Sequence, residues 1–154
     1  MLQKLGFKEN LALLVGRIMI IIGLLPNGIR KVVSFDMTAA MMGGAPPILI
    51  EGKLFPGQAP LFYFPFPEVF LAFAASFDIG GSLLLIFGLK TRSVAAFLAG
   101  YCILAITVYH GNIGGPEDIR AILRNLPLVG GLLLLASTGA GQWSIDGWLR
   151  NRRR

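Results

Sequence analysis

Charge is scarce in this chain, and so are thiols and imidazoles. Of its 154 residues only 14% are Asp, Glu, Lys or Arg, against roughly 25% in a soluble domain. With 55% hydrophobic residues and a mean hydropathy of +0.69, the composition excludes an ordinary soluble domain and leaves no room for a separate soluble catalytic one. The single cysteine, Cys102, lies inside the apolar run from Val94 to Tyr109, which excludes an intramolecular disulfide and any CxxC redox or Cys-based zinc site. The single histidine, His110, cannot build a His-rich metal site, and a haem there would need a second axial ligand from a Met or a partner. No Ser, His and Asp arrangement, dinucleotide fingerprint or metal-spaced cluster is present. An enzyme that works alone is therefore not expected.

What the sequence does contain is four long apolar segments, at residues 11–33, 67–89, 93–110 and 121–138. Each is close to the roughly 20 residues that cross a bilayer as a helix. The expected architecture is all-α: one integral membrane four-helix bundle over residues 1–154. Lys4 and Lys8 precede the first segment like the start of a signal peptide, but no small-residue cleavage site follows Leu25, so a retained helix is expected. Arg17 interrupts that segment, and Pro26-Asn27-Gly28 is expected to kink or end it before the amphipathic stretch Val32 to Met42. Pro67 suits a first helical turn, Pro116 with Glu117 and Asp118 marks another start, and Pro127 predicts a kink. Between the first two spans, Ser34 to Phe66 forms a long connection rich in proline and aromatic residues, among them Phe55, Phe62, Tyr63, Phe64 and Phe66. Such a loop belongs at the membrane interface or against a partner, on the outer face.

The net charge of +6 would suggest nucleic acid in a soluble protein; here it reads as cytoplasmic anchoring, with no nucleic acid partner. With both termini and the Lys90 to Arg92 turn inside, the inner segments hold Lys4, Lys8, Lys90, Arg92, Arg150, Arg152, Arg153 and Arg154 against Glu9 and Asp146. The outer loops balance Arg30, Lys31, Lys53, Arg120 and Arg124 against Asp36, Glu51, Glu68, Glu117 and Asp118. That asymmetry predicts cytoplasmic termini. The closing arginines read as an anchor on acidic lipid headgroups, and Trp143 with Trp148 as an interfacial aromatic belt.

Several blocks together resemble the DoxX family of small four-helix membrane proteins. They are Gly16-Arg17, Gly28-Ile29-Arg30-Lys31, Asp78-Ile79-Gly80-Gly81 followed by Gly88-Leu89-Lys90-Thr91-Arg92, Tyr109-His110, and Leu123-Arg124-Asn125-Leu126 with Gly130-Gly131. The chain departs from the family pattern in having Asp78 for a usual Glu and Arg124 for a common Lys. The resemblance implies the bacterial inner membrane and a place in quinone-reducing or thiol-oxidative membrane complexes. Distant relatives act as chaperones or cargo receptors, so fold alone does not decide chemistry.

Asp78 lies about eleven residues from either end of its span, roughly 16 Å from each interface. An unpaired acid there costs about 2.5 to 3.5 kcal/mol, and a buried pair with Arg17 is the expected answer. Such a pair can fix helix register, or it can form a polar pocket or proton relay. His110 ends the third span on the side where Arg124 and Asn125 begin the fourth. It can be a simple interfacial anchor, or the three together can serve a quinone headgroup, with donors for its carbonyl oxygens and a group that titrates near neutrality. Arg30 and Lys31 can contact headgroups or close over the same cluster. The expected function is a small subunit of a larger quinone-linked membrane complex, with no intrinsic cofactor beyond quinone, partnered by other subunits and the bilayer. The rival is a non-catalytic scaffold or assembly subunit of a respiratory, photosynthetic or transport complex; a self-sufficient carrier has little support in the sequence.

Overall fold

The computed structural model describes residues 6–43, 49–50, 53–54, 64–110 and 116–152. Six helices follow in order: α1 Phe7–Val33, α2 Phe35–Met42, α3 Pro67–Phe87, α4 Thr91–His110, α5 Pro116–Thr138 and α6 Ile145–Arg152. Between α2 and α3, β1 (Leu49–Ile50) and β2 (Lys53–Leu54) form one short antiparallel ladder. Helices α1, α3, α4 and the stretch Asp118–Thr138 of α5 are each long and apolar enough to cross a membrane. The protein is an all-α, four-span membrane bundle.

Helix α3 starts and stops for local reasons. Pro67 opens α3 where a missing N–H is harmless, and Gly88 closes it at φ +64. Its N–H and that of Leu89 return to the carbonyls of Leu85 and Leu84, a glycine-terminated helix end that any Cβ would strain. Two residues later α4 begins, two positions earlier than the hydrophobic pattern indicates. The reason is tertiary: the backbone N–H groups of Lys90 and Thr91 both donate to the Asp146 carboxylate at 2.8 Å. Asp146 belongs to α6, so a distant acid caps α4. Helix α5 starts at Pro116 and takes in the charged turn ahead of residue 121, and α6 is held by Ser144, whose Oγ accepts from the Gly147 N–H at 3.0 Å.

Pro26 does not end α1, which continues to Val33. The Asn27 side chain donates to the Gly23 carbonyl at 3.1 Å, adding a bond in the turn that proline weakens. Part of the expected loop is also helical: in α2, Ala39 and Met42 are buried on Leu71 of α3, with Phe35, Phe64 and Tyr109 around them. Phe64 meets Phe70 at 4.6 Å and Tyr109 at 6.4 Å between ring centroids. Phe55, Phe62 and Tyr63 lie outside the described residues, as do Lys4, Arg153 and Arg154.

The core runs along the bundle axis, with Leu24, Leu85, Leu98 and Leu132 from the four spans at most 1% exposed. Outward, large side chains such as Met19, Ile22, Phe73, Leu104 and Leu134 are exposed, which suits hydrocarbon as the solvent. Packing is uneven. Helix α1 sits closely on α3 and α4 on α5, while α1 and α5 approach each other sparsely. The α1–α3 register is set by Gly28, where a Cβ would fall 2.9 Å from the Asp78 Cβ and 2.8 Å from the Ile79 side chain. At the other end the Arg17 guanidinium lies against Gly88. Residue 28 is therefore level with 78, and residue 17 with 88.

Candidate functional site

That register decides the polar interior. Arg17 stands beside Gly88, ten residues from Asp78, or about 15 Å along the axis. Side chains on a helix lean toward its N-terminus, so Arg17 leans further from Asp78, and the expected Arg17 to Asp78 pair does not form. Lys31 lies one turn past Gly28 and leans back toward Asp78. Its Nζ donates to Asp78 Oδ2 at 2.5 Å and to the Tyr101 hydroxyl at 2.8 Å. The Tyr101 hydroxyl in turn faces the Ala74 carbonyl at 3.5 Å. Asp78 is 2% exposed, so its charge is met by a cation and its position fixed from three helices.

Lys31, Asp78 and Tyr101 line one side of a cavity of about 1000 Å³ whose other walls include Phe64, Phe73, Phe77, Tyr109, His110, Arg124 and Asn125. The Lys31 ammonium also lies 5.4 Å from the centre of the Tyr101 ring, and Phe77 packs edge-on against that ring at 5.7 Å. Four of the five residues singled out from sequence, Asp78, His110, Arg124 and Asn125, thus border one space; Arg17 does not. The polar contacts differ from the expected cluster, however. His110 Nδ1 pairs with Asp118 Oδ1 at 2.9 Å, and both side chains are largely buried. Asn125 donates to the Ala121 carbonyl at 2.8 Å, leaving its amide oxygen as the group free of that bond.

Arg17 belongs to a second polar centre at the opposite end of the bundle. It is 2% exposed, its Nη2 donates to the Trp143 carbonyl at 2.6 Å, and Asp146 is the acidic group whose charge acts on it. Among the described residues its Nε and Nη1 have no hydrogen-bond partner. Nearby, buried Asn10 accepts from the Gln142 N–H at 2.7 Å, and Phe7 meets Trp143 edge-on at 5.2 Å. The start of α1 is in this way bound to the α5–α6 turn.

Sequence reasoning allowed Lys31 to close over the outer cluster, whose cavity it does line, but missed it as the partner of Asp78, and missed Tyr101 and Asp146 as partners. The signal for Lys31 was Gly28: a glycine one turn before a lysine permits the close approach that brings the ammonium to a neighbouring helix. Tyr101 and Asp146 carried no comparable signal.

Among proteins of known description, the DoxX family model matches residues 12–111. Inner membrane protein YqjF of Escherichia coli (strain K12) is 32% identical over 144 residues, covering 94% of this chain and 96% of the relative. Inner membrane protein YphA of the same organism is 26% identical over 149 residues, covering 92% of each. No solved structure matches at a significant level.

Proposed function

Because the chain belongs to the DoxX family, a membership shown by the match over residues 12–111 and by YqjF, we propose that it is a small subunit of a quinone-linked membrane complex. The cavity between α1, α3, α4 and α5 is its headgroup pocket. The observation that carries this is the cavity itself: about 1000 Å³ of space bounded by aromatic faces, with Lys31, Tyr101, Arg124 and Asn125 on its wall. The Lys31 ammonium and the Arg124 guanidinium fit a ring with two carbonyl oxygens, and Phe64, Phe73 and Phe77 suit its flat apolar faces. A quinone bound there supplies the capacity to carry two electrons with two protons. The chain's own residues bind and orient: Lys31 donates deep in the pocket, Asp78 and the Tyr101 hydroxyl accept from the lysine and hold it in place, and the paired His110 side chain borders the same space. The catalytic electron donor or acceptor is a partner subunit.

The same reading places the protein in the bacterial inner membrane with both termini in the cytoplasm, supported by the two inner membrane relatives and by the basic inner segments. The non-catalytic scaffold keeps one observation in its favour: the Lys31, Asp78 and Tyr101 contacts satisfy one another without any ligand.

Isolation from native membranes in mild detergent, with mass spectrometry of bound proteins, lipids and quinones, separates the two. Co-isolation of an oxidoreductase with stoichiometric quinone, lost in Asp78→Asn and His110→Ala, is the expected result. A complex whose other subunits hold every cofactor, or quinone content unchanged in both variants, would make the chain a scaffold.

A further inference from the structure

The loose contact between α1 and α5 leaves a groove of about 1750 Å³ on the flank of the bundle. Gly16, Met19 and Leu134 are among the residues that line it, and its floor is closed where Leu128 packs 3.2 Å from the position of a Cβ at Gly23 and Ile20 packs 3.3 Å from that at Gly131. At Gly16 a Cβ would meet nothing within 4 Å. Exposed Met19 and Leu134 beside the slot, each 68%, show that it opens toward the bilayer.

One end of this apolar slot is cationic. Lys90, Arg92 and Arg150 line it with buried Arg17, against Glu9 and Asp146. Four cations thus stand against two acids there, and both Asp146 oxygens also accept from the Lys90 and Thr91 N–H groups. Lys90 is the one described non-glycine residue with positive φ, at 46°, an unfavourable backbone that places an ammonium at the mouth. Behind it, Arg17 presents Nε and Nη1 without hydrogen-bond partners among the described residues, and buried polar groups are ordinarily paired. Arg92 is steadied by its bond to the Thr138 carbonyl at 3.3 Å.

An apolar slot running along two spans and ending in an excess of cations over acids at a membrane face matches one ligand chemistry, an anionic diacyl phospholipid. We propose that the α1–α5 groove binds such a lipid, its phosphate at Lys90, Arg92 and Arg150 in front of Arg17, its acyl chains along Gly16, Met19 and Leu134. The phosphate end lies at the opposite end of α4 from His110, so the inference stands whether or not the headgroup cavity takes a quinone.

The test uses the full chain in mild detergent, titrated with phosphatidylglycerol or with phosphatidylcholine of the same acyl composition, and read by native mass spectrometry. Preferential retention of phosphatidylglycerol by about tenfold, as expected because the choline cation of phosphatidylcholine offsets the phosphate charge that the basic side chains meet and is itself repelled by them, is the supporting result. Arg92→Gln with Arg150→Gln should abolish that preference. Gly16→Leu, which points into open space and therefore leaves the helix intact, should lower retention of both lipids by filling the slot. Equal retention of the two lipids by the wild-type chain overturns the proposal, and so does a preference unchanged in the double variant. Thermal protection by millimolar inorganic phosphate equal to that by phosphatidylglycerol also overturns it, because an anion recognised without its acyl chains does not need the groove.

Discussion

Lys31 and Asp78 form the ion pair at the centre of this membrane bundle, 2.5 Å apart between α1 and α3. The lysine side chain is 27% exposed and the aspartate 3%, so the two are not equivalent. Lys31 can still reach water or a ligand in the cavity; Asp78 can reach little but Lys31. Lys31→Met is expected to destabilise the protein by about 3 to 5 kcal/mol, since it strands a buried acid. Lys31→Met combined with Asp78→Leu should recover much of that loss. Unfolding of the single and double variants in the same detergent measures the coupling, and simple additivity of the two single effects would refute the pairing.

Asp146 caps α4 from another helix, and its removal should be felt there. Asp146→Ala leaves the Lys90 and Thr91 N–H groups without their acceptor and takes away the acidic charge acting on Arg17. A loss of about 1 to 2 kcal/mol is expected from the cap alone, with Asp146→Asn intermediate because an amide oxygen still accepts. Amide exchange should accelerate first in the opening turn of α4. Unchanged exchange there with a global loss of stability would locate the effect elsewhere.

Two glycines of α1 should respond in opposite directions. Gly28→Ala places a methyl 2.8 to 2.9 Å from Ile79 and Asp78 atoms, and overpacking of that kind costs about 1 to 3 kcal/mol, more than the roughly 1 kcal/mol of helix propensity gained. Gly16→Ala meets nothing within 4 Å and should stabilise by about 0.5 to 1 kcal/mol. Paired thermal melts check the sign of each.

Lys90 separates stability from binding. Replacing it by glycine relieves a left-handed backbone at φ 46° and should raise stability by about 1 kcal/mol, while weakening retention of anionic phospholipid by severalfold. A variant that is less stable, or that holds the lipid as well as the wild type does, contradicts the account of the α3–α4 turn.

Hydropathy alone was enough to read an all-α membrane bundle with four spans, because continuous runs of about 20 apolar residues satisfy their backbone in hydrocarbon as helices, whereas barrel strands alternate apolar and polar residues. The family blocks and the acid at Asp78 were equally plain in the linear order. Depth and partnership were not. Counting residues into a span assumes that every helix enters the bilayer at the same level, whereas Gly28 against Asp78 and Gly88 against Arg17 shift α1 along α3. That shift gave Asp78 to Lys31 and sent Arg17 toward Trp143 and Asp146. The start of α4 and the groove beside α5 likewise depend on groups dozens of residues apart in the chain. What the sequence by itself determined is which segments must leave water and roughly where each ends, since both follow from local composition and turn chemistry. Only the tertiary structure decided which charges meet and where the bundle stays open, because those follow from the register in which glycines let helices approach.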